Sequence, residues 1–443
     1  MGSKVLIGWV LGVEAVQWAA SPLKSHGSFI SFFIFDGEKN MVLRRRLAVL
    51  SCGLSMLMGL QAWGQTGTPI RIGSTLALTG PFSATTAMQK LAGDIFVEQL
   101  NKRGGLLGRP VEWVLKDDQS KPELTRALYE KLITEDKVDL VIGPYGTGAI
   151  LSAMGVAQRF NKIILHNTFG LPAQAKYDLQ FSVSGGAYEI EKVWPKLVFD
   201  SVANTPKKIK KVAIVTSKFP SAYFVSQGAR EELKRRGLEE SIYLDWDFGN
   251  RDFASIAARI KDANPDFLWI GGLGAEGNFL IDAMKKMDYT PPLSFVTFPA
   301  PSLMTKSPNG EGVLALTVFE EHPPFSSNPV AASFMTAFHE KGKAQNLADP
   351  SVDLMASVAY ATWQTLEAAV NATKSLDDKT LAAWIKKAQV DTIIGKMRWD
   401  GTNNFMNGDD LYKIKQVQGG KWVVIWPKEF AAPGAKLATL ATP

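Results

Sequence analysis

Short apolar runs alternate with amphipathic stretches along most of this 443-residue chain, and the alternation occurs in two successive series. In the first series, apolar runs such as 70–78 and 138–142 are separated by segments with helical spacing, such as 87–102. The segment 188–319 repeats the same order. Because parallel strands need a helical crossover between them, this order predicts two parallel sheets, each covered by helices on both faces. The predicted fold class is therefore α/β with two lobes.

Residues 41–64 have the organisation of an export signal. Arginines at 44–46 precede an apolar run at 47–60, and the small residues Ala62 and Gly64 predict cleavage before Gln65. The apolar run is shorter than the roughly 20 residues that span a bilayer. We therefore expect export to the periplasm rather than membrane anchoring.

Residues 1–40 precede this signal, although export signals normally begin at the N-terminus. We predict that they are an over-extended reading of the gene and that Met41 is the true start. The one cysteine of the chain, Cys52, follows the arginines too closely for a lipoprotein signal. Residues 65–443 contain no cysteine, which excludes a disulfide, a thiolate metal site and a cysteine nucleophile from that part of the chain.

The net charge of +6 gives little sign of a nucleic-acid partner, because half of it lies in residues 1–64. The remainder of the chain is nearly balanced, whereas nucleic-acid binding requires a concentrated basic surface. Nucleic acid is accordingly not an expected partner.

Three turns at predicted strand ends share glycine and hydroxyl residues, at 76–83, 142–148 and 165–170. In an open parallel sheet, ligands bind outside the carboxyl ends of the strands. Backbone N–H groups at the following helix N-termini, together with a threonine hydroxyl, suit an anion such as a carboxylate. The aromatic residues that could wall a flat or apolar ligand are Phe82, Tyr145 and Phe169.

Motifs for other chemistry are weak. Residues 272–277 match G-x-G-x-x-G, but no acid follows about 20 residues later as dinucleotide binding requires. Asp117 and Asp118 are more typical of a strand-end cap than of a metal or acid–base pair. His166 lies near the predicted site, where it either donates a hydrogen bond to the ligand or is simply packed. We expect no catalytic residue, metal site or cofactor.

Several ordered motifs resemble those of the branched-chain amino acid-binding (Leu/Ile/Val-binding) family of ABC transporter receptors. The resemblance covers about residues 69–427. The motifs are IGSTLALTGPFS at 72–83, QLNKRGGLLGRPVE at 99–112, KDDQSKPE at 116–123, VIGPYGTG at 141–148, VAIV at 212–215, DFASIAARIK at 252–261, DFLWIGG at 266–272 and IIGKMRWD at 393–400.

The resemblance implies a type I periplasmic binding protein fold, with two Rossmann-like lobes around a cleft that closes on the ligand like a hinge. Three chain crossings are expected, near 185–188, 319–322 and 390–393. The first lobe would comprise 69–187 and 320–389, and the second 188–319 and 390–427, with 428–443 as a flexible tail. The implied partners are a small-molecule ligand and an ABC permease in the inner membrane, and the receptor is expected to be monomeric.

Ligand-binding positions carry over from the family one at a time. The residue that grips the ligand carboxylate matches Thr147, and the partners after the fourth strand match Thr168 and Gly170. An aromatic of the first turn falls near Thr85, where Phe82 is expected to substitute. In the second lobe, one family tyrosine falls around Ser221, with Tyr223 close by. A second family tyrosine matches Leu273, and the acid that pairs with the ligand ammonium matches Pro299.

These departures predict an apolar second lobe. A buried ammonium without a counter-charge costs several kcal/mol, so we expect a carboxylate ligand without an α-ammonium, such as an aromatic or aliphatic acid. Glu276 could instead replace the lost acid. The alternatives are an amino-acid or amide receptor, a Rossmann-type enzyme, and a ligand sensor with the same fold.

Overall fold

The structure is a computed structural model that describes residues 67–184, 188–205, 208–347, 349–408 and 410–440. The predicted export signal, the segment 1–40 and Cys52 lie outside these ranges, as does most of the first predicted crossing. Within them, no helix combines the length and the apolar character that crossing a bilayer requires.

The first series forms a five-stranded parallel sheet with the strand order β2-β1-β3-β4-β5. Its strands are β1 (Ile70–Leu76), β2 (Val111–Asp117), β3 (Leu140–Ile142), β4 (Ile164–His166) and β5 (Gln180–Ser182), and its crossover helices are α1 (Ser83–Lys102), α2 (Pro122–Thr134) and α3 (Thr147–Phe160). Neighbouring residues of one strand pack on opposite faces of the sheet. In β4, Ile164 belongs to the hydrophobic cluster on the α2 and α3 face, and Leu165 belongs to the cluster on the α1 face. Both faces of the sheet are therefore covered, as predicted.

The second series forms a seven-stranded sheet with the order β14-β13-β10-β9-β8-β6-β7. Its strands are β6 (Lys211–Ser217), β7 (Glu239–Trp246), β8 (Phe267–Gly274), β9 (Ser294–Pro299), β10 (Val313–Thr317), β13 (Lys413–Gln418) and β14 (Lys421–Trp426), and its helices are α4 (Ile190–Ser201), α5 (Pro220–Arg236), α6 (Ala254–Ala263), α7 (Glu276–Lys285) and the short α8 (Pro301–Lys306). Trp269 packs on the α4 and α5 side, and its neighbour Ile270 packs on the α6 and α7 side. Strands β6 to β10 are parallel, whereas β13 and β14 are antiparallel additions at the edge.

After β10 the chain returns to the first lobe through three helices, α9 (Pro329–Ala344), α10 (Leu354–Thr373) and α11 (Asp378–Ile385). The long α10 packs along α1, and most of the side chains that it buries are apolar. Asp378 at the start of α11 pairs with Lys162 at 2.8 Å and so attaches this helix to the first sheet. Together with α1, these helices cover one face of the first sheet.

The third crossing occurs later than the sequence predicts. Strands β11 (Gln389–Thr392) and β12 (Gly395–Arg398) form a separate antiparallel hairpin and do not join the second sheet. Trp399 Nε1 donates to the carbonyl of Ser182 at 2.7 Å, and Asn404 Nδ2 donates to the carbonyl of Asp178 at 2.9 Å. Residues 390–405 therefore contact the first lobe, and the chain rejoins the second sheet at β13. The resemblance placed all of 390–427 in the second lobe, and the strand pattern of 395–399 does not identify the strand with which it pairs.

The C-terminal segment 428–443 is predicted to be a flexible tail. In the structure, its described part, up to residue 440, is instead hydrogen-bonded to the second lobe. Gln416 Nε2 donates to the carbonyl of Ala438 at 2.7 Å, and the N–H of Ala438 donates to Gln416 Oε1 at 2.8 Å. The N–H of Leu440 donates to the carbonyl of Pro292 at 3.0 Å. Amide side chains of β13 thus bind a segment whose own composition suggests no order.

Helix α1 begins at Ser83, four residues before the predicted start. The apolar spacing that predicts the helix does not extend to residues 83–85, so the pattern did not indicate its first turn. Thr86 Oγ1 donates to the carbonyl of Ala77 at 2.6 Å and holds this turn against the end of β1. The earlier start places Phe82 at the helix N-cap, beside the cleft.

Candidate functional site

The main candidate site is a cavity between the two sheets, which we call the first cavity. It encloses about 650 Å³, partly open to solvent. In the first lobe its wall is formed by the residues that follow β3 and β4 and by the start of α10; in the second lobe it is formed by the starts of α4 and α5 and the ends of β8 and β9. The carboxyl ends of parallel strands thus meet across the cleft, which is the expected place for a ligand.

Two threonines and two glycines form a hydrogen-bonded group in the first-lobe wall, beside the polar residues Asn167 and Ser184. Thr147, the first residue of α3, accepts a hydrogen bond from the N–H of Gly170 at 3.0 Å through its Oγ1. Thr168 Oγ1 likewise accepts from the N–H of Gly146 at 2.9 Å. The sequence suggested that such backbone donors would be free for an anion, but these two are already used. Each hydroxyl therefore has its own proton to donate to a ligand.

The N-terminus of α3 supplies further donors beside these hydroxyls. Gly146, the N-cap residue, has φ +86°, and the first helical hydrogen bond runs from Ile150 N to Gly146 O at 2.9 Å. The N–H groups of the first turn before Ile150 consequently have no partner within the helix. Together with the helix dipole, they favour a negatively charged group next to Thr147.

Apolar side chains form the second-lobe wall of the first cavity. Leu273 at the end of β8 and Phe298 near the end of β9 both line it. Trp194 of α4 packs against Phe298 with a ring-centroid distance of 5.8 Å, and against Tyr412 at 4.7 Å. Pro299, which the sequence placed in this wall, lies beside a neighbouring cavity instead. Phe298, the residue before it on β9, lines both cavities.

Glu276 does not replace the missing acid. Its two carboxylate oxygens accept from the N–H groups of Gly249 at 3.0 Å and of Leu273 at 3.1 Å. Glu276 is buried and lines neither cavity, so its carboxylate closes the turn at 272–277. Burial raises the pKa of this carboxyl. The G-x-G-x-x-G sequence is thus a tight turn in which the motif's own Glu276 accepts the N–H of Leu273.

Four aromatic side chains join the lobes at the edge of the first cavity. Phe82 of the first lobe contacts Tyr145, with ring centroids 5.2 Å apart, and crosses to Phe219 at 5.8 Å and Phe248 at 5.5 Å in the second lobe. Tyr145 and Phe219 also line the cavity, whereas Phe82 does not. Phe82 therefore covers the site instead of lining it as predicted. Phe219 was not predicted, although, like Phe82, it directly precedes a helix.

His166 and Tyr223 do not line the first cavity. His166 is fully buried behind Phe169, with its Nε2 2.6 Å from Gln180 Oε1. Burial lowers the pKa of His166 to about 4, so the ring is neutral at neutral pH. Tyr223 is exposed on α5, and Ser221, two residues earlier, lines the cavity in its place. Phe169 is in the wall as predicted by its position after β4.

Asp117 and Asp118 cap the turns at the strand ends. Thr79 Oγ1 donates to Asp117 at 2.7 Å, and Thr75 Oγ1 donates to Asp118 at 2.6 Å. Among the described residues, no group of three or more His, Cys, Asp or Glu side chains is arranged to hold a metal ion. The two aspartates therefore have a structural explanation.

A neighbouring cavity, which we call the second cavity, shares wall residues with the first, namely Tyr145, Phe298, Leu354 and Met355. It encloses about 1450 Å³, including space open to solvent. Glu320, Lys415 and Asp353 line it and are all buried. The sequence did not indicate this cluster, because its members come from three distant parts of the chain.

A bilobal α/β protein with a cavity between facing strand ends has the architecture of a solute receptor. A family model described as "Periplasmic binding protein" matches residues 69–421. The chain belongs to this family, and it is a ligand-binding receptor of the type that serves ABC transporters.

The relatives found by sequence comparison match over most of their own length. An "Amino acid binding protein" of Pseudomonas aeruginosa is 23% identical over 367 residues, covering 80% of this chain and 92% of the relative. The "Leu/Ile/Val-binding protein BraC3" of Rhizobium johnstonii is 25% identical over 349 residues, covering 78% and 91%.

Solved structures show the same fold. The leucine-binding protein LivK of Thermotoga maritima has a TM-score of 0.68 at 19% identity, covering 80% of this chain and 97% of that protein. A solute-binding protein of R. palustris in complex with benzoate has a TM-score of 0.68 at 18% identity, covering 85% and 98%.

Proposed function

We propose that this protein is the periplasmic receptor of an ABC importer and that it captures a small organic carboxylate in the first cavity. In this proposal the lobes close on the ligand, and the closed receptor delivers it to an inner-membrane permease. The observation that carries the proposal is the hydroxyl of Thr147 at the N-terminus of α3, which faces a mainly apolar second-lobe wall across the cavity.

The carboxylate would lie against α3. There it would accept hydrogen bonds from Thr147 Oγ1 and from N–H groups of the first turn, in addition to the favourable helix dipole. Hydrogen bonds to a charged group contribute about 1.5–3 kcal/mol each. The carboxylate would therefore be oriented at the first-lobe side of the cavity, with its carbon skeleton towards the second lobe.

The carbon skeleton would pack against Leu273, Phe298 and Trp194. An α-ammonium next to the carboxylate would find no counter-charge in this wall, because the carboxylate of Glu276 is held in its own turn. Leaving such a charge unpaired would cost several kcal/mol. The wall therefore favours aromatic or aliphatic acids over α-amino acids.

Some relatives fit this ligand class, and others fit an amino acid. Solute-binding proteins with the same fold are in complex with benzoate and with 3,4-dihydroxybenzoic acid, and another is in complex with isoleucine. A branched-chain amino acid is therefore the second candidate ligand, supported by relatives named for Leu/Ile/Val binding.

The transport role needs no chemical step, no cofactor and no nucleic acid, and we propose that the receptor works as a monomer. The histidines of the described chain do not form a catalytic group at the cavity. His166 is packed behind Phe169, and Nε2 of His339 on α9 lies 2.8 Å from the carboxylate of Glu321. Export would be tested by N-terminal sequencing of the periplasmic form, which should begin at Gln65.

The ligand class can be tested on the mature protein, residues 65–443, with a thermal-shift screen followed by calorimetry. Benzoate and 4-methylpentanoate should raise the melting temperature, because a ligand at a hundredfold excess over Kd stabilises by about 2.7 kcal/mol. Leucine, which has the skeleton of 4-methylpentanoate with an added α-ammonium, is the matched comparison. Tight leucine binding without any response to the two acids would overturn the proposed ligand class.

A further inference from the structure

The second cavity extends the cleft away from Thr147 and carries an excess of acidic groups. The described residues of its wall include three carboxylates, those of Glu320, Asp349 and Asp353, and one cation, Lys415. Tyr145 is the other titratable residue in that wall, and its ring lines both cavities. A molecule that passes Tyr145 from the first cavity would therefore enter an acidic compartment.

One of these acids is already neutralised. Glu320 Oε1 and Lys415 Nζ are 2.6 Å apart, with only 10% and 3% of their side chains exposed. Thr317 Oγ1 also donates to Glu320 Oε1 at 3.0 Å. Among the described residues of the compartment, Lys415 is the one cation, and this contact pairs it with Glu320, so Asp353 has no salt-bridge partner of its own.

Asp353 is the N-cap residue of α10, and its side chain accepts from the N–H of Ala356 at 2.8 Å. The residue is only 7% exposed, it lines the second cavity, and among the described residues it forms no ion pair. The helix dipole offsets about half a charge, which is less than the full charge of a carboxylate. Burial raises the pKa of Asp353 to about 6, so the group is mainly ionised at neutral pH.

We propose that the second cavity is a cation-recognising subsite of the same cleft, in which Asp353 is the counter-ion of an ammonium at the far end of the ligand. The inference rests on the proposed function, because the other end of the ligand is the carboxylate at Thr147. The ligand class is then an extended molecule with a carboxylate and a terminal amine separated by an apolar segment, such as an ω-amino acid. The apolar segment would lie against the shared residues Phe298, Leu354 and Met355.

A purely structural role for Asp353, as a helix cap, makes a different prediction. Asparagine caps helices about as well as aspartate, so Asp353→Asn removes the charge and keeps the cap. Asp377 provides the matched control, because it caps α11 by accepting from the N–H of Thr380 at 2.8 Å on an exposed surface. Asp377→Asn should leave binding of every ligand unchanged.

Calorimetry with hexanoate and 6-aminohexanoate tests the proposal, because the two probes differ only in the terminal ammonium. Wild-type protein is expected to bind 6-aminohexanoate at least tenfold more tightly than hexanoate. Asp353→Asn should abolish that preference and leave hexanoate binding within about twofold, a pattern that loss of a helix cap would not produce. An equal or weaker affinity of wild type for 6-aminohexanoate, or an undiminished preference in Asp353→Asn, would overturn the inference.

The pH dependence gives a second readout. Protonation of Asp353 as the pH falls through about 6 should weaken 6-aminohexanoate binding while hexanoate binding changes less. The other facing groups are Glu320, Asp349, Lys415 and Tyr145, so the same titration of Asp353→Asn is needed to assign the effect. A pH dependence that persists in this variant would contradict the role of Asp353.

The two proposals fail in distinguishable ways. If wild type binds benzoate or hexanoate in a manner that depends on Thr147 but does not prefer the amine, only the cation subsite is wrong. If wild type binds no carboxylate, the proposed function fails and the subsite inference fails with it.

Discussion

Gly170 of the first lobe lies directly against Ser221 of the second, so closely that a Cβ on Gly170 would collide with the Cβ of Ser221. The N–H of Gly170 is held at the same time by Thr147 Oγ1. The residue that completes the polar wall is thus also a point where the two lobes meet, which couples ligand binding to closure.

We predict that Gly170→Ala weakens ligand binding about 10- to 100-fold, because a tightly packed contact that gains a methyl group costs about 1–3 kcal/mol. Calorimetry with the ligand from the screen provides the measurement. Gly155→Ala on α3 is the control, since nothing lies within 4 Å of its added Cβ, and its affinity should match wild type. Wild-type affinity in Gly170→Ala would show that the contact is not required for closure.

The hydroxyl of Thr147 should be required for carboxylate affinity. Thr147→Val removes both the donor to the ligand and the acceptor of the Gly170 N–H, so binding is expected to weaken about 10- to 100-fold. Thr147→Ser retains the hydroxyl and should lose less than about tenfold. Thr134→Val, which removes an exposed hydroxyl bonded to the carbonyl of Glu130, is the control for a general effect of valine on a helix. Equal affinities for the valine and serine variants would argue against a role for the hydroxyl.

The aromatic contacts of Phe82 should stabilise the closed arrangement. Each aromatic pair contributes about 0.5–1.5 kcal/mol beyond its buried area. Phe82→Ala, which loses its contacts to Phe219 and Phe248, is predicted to raise the dissociation rate about 5- to 150-fold in a stopped-flow experiment. Phe279→Ala, at an exposed position on α7, should have no effect on the rate. An unchanged dissociation rate in Phe82→Ala would show that the aromatic contacts of Phe82 do not stabilise the closed arrangement.

The buried His166 should make the protein sensitive to acid. Its folded-state pKa of about 4 lies below the value of 6.5 for an unperturbed histidine, chiefly because of burial. Between pH 7 and pH 4 the unfolded chain therefore takes up the proton first, and the free energy of unfolding should fall by up to about 3 kcal/mol as the pH falls. Asp353 contributes with the opposite sign, because its pKa is raised.

The contribution of His166 can be isolated by denaturant unfolding of wild type and His166→Gln across this pH range. The variant should start at a lower stability at pH 7, because it disturbs a packed core position, but it should lose less stability on acidification. Two pH curves of equal slope would show that His166 does not titrate between the folded and unfolded states as expected.

The two parallel sheets could be predicted from the sequence because strand and helix periodicity is local information. The apolar run 138–142 predicts a buried strand, which the structure contains as Leu140–Ile142. The turn at 142–148 that follows it therefore lies at the carboxyl end of that strand, where ligands bind. Thr147, Thr168 and Gly170 follow from that rule, and the structure brings them together in one wall. The resemblance assigned residues 390–398 to the second lobe, whereas they form a separate hairpin, because a strand pattern does not specify the strand's partner.

Side-chain direction and long-range pairing were decided only by tertiary structure. On a helix each residue turns by about 100°, so the two-residue difference between Tyr223 and Ser221 moves a side chain from solvent to the cavity. The acidic compartment depends on Asp353, Glu320 and Lys415, which no local pattern connects. The sequence by itself determined the two-lobed α/β fold and the position of the cleft, because both depend on local periodicity. Which side chains face the ligand depends on packing between distant segments, and only the folded structure decided it.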